Sequence, residues 1–287
     1  MQRCAVLGAG TMGHGIAQIA AQSGFEVVLY DVTRDAAEKG LARIRANLDT
    51  GVAKGKVTAE AREAALAKLR AVDSLAALEG AQWVVEAVPE DLALKQRLLG
   101  ELAKSLGPDA LLASNTSSLS LTKLAAGLPH PERVIGMHFF NPPHLMKLLE
   151  LVRAEQSSPE TVALARALGE KLGKTCIEVR DSPGFASSRL GICLAMEAIR
   201  MVEAQVASPA DIDAAMELGY NHPMGPLKLT DHVGLDVRLT IADHLRESLG
   251  SDVFRAPELL RRMVAEGKLG KKSGEGFYRY DTSLKTK

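Results

Sequence analysis

The segment CAVLGAGTMG, residues 4–13, decides the fold of this chain of 287 residues. A short apolar run ends in a Gly-x-Gly-x-x-Gly pattern, which opens into the helical pattern TMGHGIAQIAAQ over residues 11–22. Residues 26–31, EVVLYD, follow as a second strand pattern and end in the acid Asp31. Strand, glycine turn, helix and acid-ended strand are the βαβ arrangement of a dinucleotide-binding domain. We therefore predict a Rossmann-like domain at the start of the chain.

Each glycine of this turn has a physical role. Gly8 permits the tight turn, Gly10 lets the backbone approach a pyrophosphate, and Gly13 lets the helix pack closely against the strand. The free N–H groups at the helix start favour phosphate oxygens. A carboxylate at Asp31 would bind adenosine ribose hydroxyls and repel a 2′-phosphate, so we predict NAD rather than NADP. The predicted cofactor contacts here are Gly8, Ala9, Gly10, Thr11, Met12, Gly13 and Asp31.

Outward from this segment, short apolar runs alternate with helical patterns. Further strand patterns cover residues 83–88, 110–113, 134–138, 148–152 and 175–179. Strands that alternate with helices predict a doubly wound, mostly parallel sheet, and so an α/β fold.

The connection between the second and third strands is too long for one crossover helix. Amphipathic patterns over residues 37–48 and 61–69 predict an inserted helical hairpin that stands off the sheet. Four cations lie on or near this hairpin: Arg43, Arg45, Lys54 and Lys56. Taken alone, they are typical of a solvated helix face.

The pattern changes at residues 181–184, DSPG, after which helices replace strands. Helical patterns cover residues 185–204, a stretch from Ser208 with Pro209 in its first turn, residues 227–249 and residues 258–266. We predict an NAD-binding domain over residues 1–182 and a smaller all-helical domain over residues 183–287. To the second domain we assign dimerisation, since it includes the uncharged run 190–196. We also expect it to form part of the substrate cleft.

Composition narrows the function classes. Lys plus Arg and Asp plus Glu both number 35, so the chain has no basic excess of the kind that nucleic-acid binders show. Three scattered cysteines (Cys4, Cys176 and Cys193) offer neither a disulfide framework nor zinc-ligand spacing. No apolar stretch is long enough to span a membrane. We expect a cytoplasmic protein without metal, nucleic-acid or membrane partners.

Two segments carry chemically useful side chains at strand ends: ASNTSS at 113–118 and MHFFNP at 137–142. In a parallel sheet, ligands bind outside the carboxyl ends of the strands. His138 is suited to accept the proton of an alcohol during its oxidation. Glu150 is either a solvent-facing strand residue or a buried acid paired with His138.

Several motifs together resemble the L-3-hydroxyacyl-CoA dehydrogenase family, and the bacterial 3-hydroxybutyryl-CoA dehydrogenases in particular. They are ASNTSSLS, MHFFNPP followed by MKLLELV, DSPGF, PMGP, VGLD and GKKSGEGFYRY. The similarity runs from residue 3 to about residue 280, with the motifs in the family's order. It implies an NAD-dependent oxidoreductase of fatty acid metabolism, including β-oxidation, that interconverts (S)-3-hydroxyacyl-CoA and 3-oxoacyl-CoA. It also implies a homodimer formed through the helical domain.

Carried over position by position, the family's catalytic histidine and glutamate fall on His138 and Glu150. Ser117 takes the place of the serine that holds the substrate 3-oxygen and also contacts NAD. The resemblance implies further NAD contacts at Glu90, Lys95, Asn141 and Lys272. It implies CoA contacts at Asn47 and Lys54, which reverses the solvated-face interpretation of the hairpin.

One position departs from the family pattern. Many members carry an active-site asparagine where this chain has Ser188, within the stretch PGFASSR. A serine is shorter and cannot donate and accept as an amide does. We keep Ser188 among the catalytic candidates, with its contact and the preferred acyl group in question.

Two other functions remain open at this point. The chain could be a dehydrogenase of free hydroxy acids resembling L-gulonate 3-dehydrogenase, although the pair Phe139-Phe140 after His138 is unusual there. It could also be a non-catalytic, crystallin-like NAD-binding protein, against which Ser117, His138 and Glu150 argue. Acyl chain length, physiological direction and pathway stay undecided.

Overall fold

The computed structural model describes residues 1–281 and contains an α/β sheet followed by a bundle of helices. The strands are β1 Arg3–Leu7, β2 Glu26–Tyr30, β3 Leu69–Val72, β4 Trp83–Glu86, β5 Leu111–Ser114, β6 Val134–Phe139, β7 Leu148–Arg153 and β8 Thr175–Arg180. The helices among the strands are α1 Gly13–Gln22, α2 Arg34–Ala53, α3 Ala59–Leu66, α4 Leu92–Ser105, α5 Leu121–Ala126 and α6 Pro159–Lys171. The later helices are α7 Ser187–Glu203, α8 Pro209–Gly219, α9 Pro226–Val233, α10 Leu235–Leu249 and α11 Glu258–Ala265.

The eight strands form one sheet in the order β3-β2-β1-β4-β5-β6-β7-β8. Strands β1 to β6 are mutually parallel, and β7 pairs antiparallel with β6. The chain order reverses between β1 and β4, where a doubly wound sheet leaves a crevice at its carboxyl edge. The predicted Rossmann-like, mostly parallel fold is confirmed.

The hairpin α2–α3 differs from the prediction that it stands off the sheet. Gly40 of α2 lies so close to the glycine turn and to β2 that a Cβ there would be 2.6 Å from Ala9 Cβ and 3.1 Å from Leu29 Cδ2. Ile44, Leu48 and Ala65 belong to the same hydrophobic core as α1 and β1. After α3 the chain returns to the sheet as β3, a strand that the sequence analysis missed. The hairpin is therefore packed onto the domain by its apolar stripe.

The predicted helix over residues 227–249 is two helices, α9 and α10. They meet at Gly234, whose φ of 107° lies outside the helical region and is favourable only for glycine. The periodic apolar pattern continues across this break, which is why the sequence predicted one helix.

Contacts divide the chain into two compact units, residues 1–185 and residues 186–287, and the described part of the second ends at residue 281. In the first unit, hydrophobic cores lie on both faces of the sheet. The second unit has its own core, to which Ile192, Ala195 and Met196 contribute. Much of the uncharged run 190–196 is therefore buried within its own unit, whereas Leu190 is exposed. Among residues 1–281, no helix has the length and apolar character to cross a membrane.

Candidate active site

A cavity of about 860 Å³ lies at the carboxyl edge of the sheet in the first unit. It is lined by the loops and strand ends that follow β1, β2, β4, β5 and β6. Among the lining residues are the sequence-predicted Gly10, Asp31, Glu90, Ser117, His138 and Asn141. The reversal of chain order between β1 and β4 thus brings these residues around one cavity.

The glycine turn has the shape that a dinucleotide requires. A Cβ on Gly13 would lie 1.7 Å from the carbonyl oxygen of Gly8, so helix α1 can approach the turn only with glycine there. Gly8 has a φ of 92° and lies against Ala87 of the neighbouring strand end. A Cβ on Gly10 would meet no atom within 4 Å, because this residue faces the open cavity. The residues present therefore fit a pyrophosphate held against bare backbone.

Asp31 follows β2 at the same edge. Its carboxylate accepts hydrogen bonds from the backbone N–H groups of Ala9 and Val32, each at 2.8 Å. Ionised carboxylate oxygens have further lone pairs, so ribose hydroxyls can still donate to this group. Asp31 thus orders the glycine turn while it lines the cavity.

His138 and Glu150 are directly opposite each other on the antiparallel strands β6 and β7. The Nδ1 atom of His138 lies 2.7 Å from Oε2 of Glu150. Glu150 is 0% exposed and His138 is 7% exposed at the cavity wall. Because a carboxylate only accepts, the hydrogen of a neutral imidazole belongs on Nδ1, and the lone pair is then on Nε2. Of the two interpretations of Glu150, the structure therefore supports the buried, paired acid.

Aromatic rings enclose the His138 imidazole. The ring of Phe140 lies 4.7 Å from it and the ring of Phe185 lies 5.7 Å from it, centroid to centroid. Next to this site, the backbone N–H of Phe139 donates to Oδ1 of Asn115 at 2.9 Å. Asn115 thereby ties the end of β6 to the loop that follows β5, beside the two aromatic rings that pack against the imidazole.

Glu90 organises the loop that contains Ser117. Its Oε1 accepts hydrogen bonds from the N–H groups of Ser117 at 3.0 Å and Ser118 at 3.2 Å, and from the Thr116 hydroxyl. Its Oε2 pairs with the ammonium group of Lys95 at 3.0 Å. Although burial raises the pKa of Glu90, the hydrogen bond from Thr116 and the charge of Lys95 bring it below its usual value. Glu90 is therefore an ionised acceptor at neutral pH.

Two domain models of the 3-hydroxyacyl-CoA dehydrogenases match this chain. Residues 3–182 match the NAD binding domain of 3-hydroxyacyl-CoA dehydrogenase, and residues 184–280 match its C-terminal domain. The chain belongs to the 3-hydroxyacyl-CoA dehydrogenase family.

Individual relatives are similar to this 3-hydroxyacyl-CoA dehydrogenase over nearly their full lengths. A probable 3-hydroxybutyryl-CoA dehydrogenase of Bacillus subtilis is 46% identical over 276 residues, which is 96% of each chain. A protein of the same name from Deinococcus radiodurans is 46% identical over 275 residues, covering 96% of this chain and 99% of the other. The crystal structure of (S)-3-hydroxybutyryl-CoA dehydrogenase from Ralstonia eutropha superposes with a TM-score of 0.95 at 41% identity, covering 98% of this chain and 100% of the other. The predicted family, enzyme class and NAD cofactor are thus confirmed.

The remaining predicted site residues lie away from the cavity wall or in the second unit. On α2, the Asn47 amide donates to Gln18 Oε1 at 3.2 Å, and Lys54 is exposed just beyond the helix end. Ser188 is half-buried in the first turn of α7. Lys272 is exposed, and its ammonium group donates to Asp236 at 2.6 Å. These assignments stay predictions. Among the described residues, no cluster of His, Cys, Asp or Glu could hold a metal ion.

Sequence reasoning missed Glu86, the last residue of β4. It is 0% exposed, and its carboxylate accepts from the Lys95 ammonium and the Val88 N–H at 2.7 Å, and from the Ser114 hydroxyl at 2.6 Å. Burial raises the pKa of Glu86, and the charge of Lys95 opposes that rise. A signal was present, because WVVE ends an apolar strand with an acid in the same way that EVVLYD does.

Proposed function

We propose that this enzyme interconverts (S)-3-hydroxyacyl-CoA and 3-oxoacyl-CoA, with 3-hydroxybutyryl-CoA as a substrate and NAD as cofactor. The observation that carries the proposal is the buried His138–Glu150 pair in the wall of the cavity that also contains the glycine turn. A proton-transfer group and a dinucleotide cradle in one space are what alcohol oxidation requires. The names of the relatives supply the acyl-CoA substrate class.

His138 acts as the general base in the oxidation direction. Its Nε2 lone pair accepts the proton of the 3-hydroxyl group, and the carboxylate of Glu150 stabilises the imidazolium that forms. In the reverse direction the same nitrogen returns the proton to the 3-oxo group. Bound NAD supplies the hydride acceptor for the carbon that carries the hydroxyl.

The remaining site residues bind and orient the substrate and the cofactor. The Ser117 hydroxyl holds the substrate 3-oxygen, while the glycine turn, Asp31, Glu90, Lys95 and Asn141 hold the cofactor, with Lys272 as a further contact. Asn47 and Lys54 bind CoA, and the Lys54 ammonium suits the CoA phosphates. Ser188 takes the place of the family's active-site asparagine among the catalytic residues, and its shorter side chain bears on the preferred acyl group. Remote binding through CoA then contributes to the placement of the reacting carbon.

The proposal includes a cytoplasmic homodimer formed through the helical unit. Large apolar side chains of that unit are exposed, among them Leu190 at 70%, Leu218 at 86% and Tyr220 at 76%. Such side chains suit a protein interface. The cysteines Cys4, Cys176 and Cys193 are free, as is usual in a reducing compartment. A monomeric mass by light scattering at micromolar concentration would contradict the dimer.

The activity is tested by NADH oxidation with acetoacetyl-CoA, with free acetoacetate as the matched substrate that lacks CoA. We expect turnover of the thioester and a far lower kcat/KM with the free acid. Equal kcat/KM for the two would reject the CoA-thioester assignment and favour the free-acid alternative. A series of 3-oxoacyl-CoA substrates then measures the chain-length preference.

A further inference from the structure

The ammonium group of Lys174 holds the loop that joins β6 to β7. Its Nζ atom donates to the carbonyl oxygen of Pro143 at 2.5 Å and to that of Met146 at 2.7 Å. Burial lowers the pKa of Lys174, and no acid among the described residues 1–281 opposes that shift. Hydrogen bonds from a charged donor are stronger than neutral ones, and a partly buried charge without them would be costly. The ammonium group and the loop therefore stabilise each other.

Residues 142–146 of this loop form a single helical turn, which we call the proline turn. The carbonyl oxygen of Pro142 accepts from the N–H groups of Leu145 at 3.0 Å and Met146 at 3.1 Å. The two carbonyl oxygens that Lys174 binds lie further along the same turn. A cation stabilises the last carbonyl oxygens of a helix in the same way. Lys174 therefore closes the end of the proline turn.

The proline turn is fixed on two sides. On one side, Pro143 is buried against helix α1, where a Cβ on Gly15 would lie 2.7 Å from Pro143 Cδ. On the other side lies the connection between α6 and β8, which contains Lys174. There the N–H group of Thr175 donates to the carbonyl oxygen of Lys147 at 2.8 Å. The turn thus lies between the cofactor helix and the connection that carries the ammonium group.

Asn141 joins the proline turn to the cavity. It directly precedes Pro142 and lines the cavity that contains the glycine turn. We propose that Lys174 is a positioning residue, which acts through the proline turn on Asn141 and so on the cofactor. This inference rests on the proposed function, in which Asn141 holds NAD. The His138–Glu150 pair should be unaffected, because the pairing of β6 with β7 holds it.

A double-mutant cycle of Lys174→Met and Asn141→Ala tests the proposal, with the dissociation constant of NADH measured by fluorescence. Lys174→Met should weaken NADH binding about three- to tenfold, the range that corresponds to one lost hydrogen bond. In the Asn141→Ala background, the same substitution should change the affinity less than about twofold, since residues that act as a unit are non-additive. A merely structural role would lower stability in both backgrounds and give additive effects on NADH affinity.

Steady-state kinetics with acetoacetyl-CoA provide a second measurement. In Lys174→Met the KM for NADH should rise, while kcat should stay within about threefold of its normal value. The pH profile of kcat should be unchanged, because His138 and Glu150 keep their places. Lys104→Met, at an exposed lysine of α4, is the control and should match the unmodified enzyme.

Three results overturn the proposal. They are an unchanged NADH affinity in Lys174→Met, an equal loss of affinity in the Asn141→Ala background, and an unchanged affinity in Asn141→Ala itself. If Lys174→Met does not fold, Lys174→Gln, whose neutral amide still donates, takes its place in the cycle with the same criteria. If the unmodified enzyme does not reduce acetoacetyl-CoA, the proposed function fails, whereas the NADH affinities still decide the role of Lys174.

Discussion

The two ends of the cavity differ in the groups that form them, and we call the end at β1 and β2 the steric end and the end at β4 to β7 the charged end. At the β1–β2 end, the surface that faces a dinucleotide is backbone, shaped by Gly8, Gly10 and Gly13 and ordered by Asp31. At the β4–β7 end it is made of side chains, with the His138–Glu150 pair and the Glu86–Lys95–Glu90 chain buried behind it. The first end depends on the absence of Cβ atoms, and the second depends on charges taken out of water. Steric changes should therefore damage binding at one end, and charge changes should damage turnover at the other.

The largest effect is expected from the His138–Glu150 pair. Glu150→Gln places an amide beside the imidazole, which cannot stabilise the imidazolium, so turnover of acetoacetyl-CoA should fall by about 10²–10⁴. His138→Gln should fall comparably, and the double variant little further. The dissociation constant of NADH should stay near its normal value in all three. Glu178→Gln, an exposed acid on the neighbouring strand β8, is the matched control. Normal turnover by folded Glu150→Gln would remove the pair from the mechanism.

Alanine substitutions in the glycine turn test the steric end. Gly13→Ala drives a Cβ into the Gly8 carbonyl oxygen, so it should lower the free energy of unfolding by about 1–3 kcal/mol. Gly10→Ala meets no protein atom, so the melting temperature should be preserved while the added methyl group obstructs the cofactor. We expect Gly10→Ala to lower the affinity for NADH by about tenfold or more. A tenfold loss of affinity corresponds to about 1.4 kcal/mol of binding free energy. Unchanged NADH affinity in that variant would mean that the cofactor does not pass over Gly10.

Removal of the Asp31 charge at the steric end should alter the cofactor specificity. Asp31→Ser removes the repulsion of a 2′-phosphate, so the ratio of kcat/KM for NADH over NADPH should fall by about tenfold. Because Asp31 also accepts from Ala9 and Val32, a modest fall in Tm should accompany this change. Asp35→Ser, at an exposed acid in the first turn of α2, provides the control. An unmodified enzyme that used NADPH as well as NADH would contradict the assignment to Asp31.

The smallest expected effect is the pH-dependent loss of thermal stability when Glu90 is replaced. The folded-state pKa of Glu90 is lowered, so its ionised form stabilises the fold above the unfolded value of about 4.3. This contribution to stability is lost as the pH falls from about 4.3 through the lower pKa that Glu90 has in the folded state. Glu90→Gln should therefore lower Tm by about 2–4 °C at neutral pH, and the difference should shrink below about pH 4. Thermal melts of both proteins from pH 7 to about pH 3 check this, and a constant difference would contradict it.

The steric end could be predicted from the sequence because it is local. The strand, the turn and the helix are adjacent in the chain, and a Gly-x-Gly-x-x-Gly pattern specifies their close approach. Asp31 follows from the same short βαβ unit. The core-facing strands of the sheet were likewise found from their apolar runs, apart from β3, whose four residues Leu69–Val72 directly follow a helical pattern.

The side-chain contacts at the charged end depend on which strands pair and in which register. Residue types alone do not predict this pairing. Glu150 could be a solvated strand residue until β7 is known to lie antiparallel to β6 with His138 opposite. The role of Glu86 depends on Ser114 of the adjacent strand and on Lys95 from the following helix. The break at Gly234 was missed for a related reason, since the apolar period continues through it.

The antiparallel register of β6 and β7 means that backbone hydrogen bonds, rather than the loop between the strands, set the geometry of the acid–base pair. Backbone pairing of Gly136 with Val152 and of Phe139 with Leu149 holds His138 and Glu150 face to face. Residues 140–147 join the two strands, and within this loop Phe140 packs against the His138 ring while Asn141 lines the cavity. Exchanges at Leu145 and Met146, which are exposed in this loop, should therefore leave the acid–base pair in place, whereas exchanges at Phe140 or Asn141 should disturb the site. For protein engineering, the β6–β7 pairing together with Phe140 and Asn141 is the part of this region to keep unchanged.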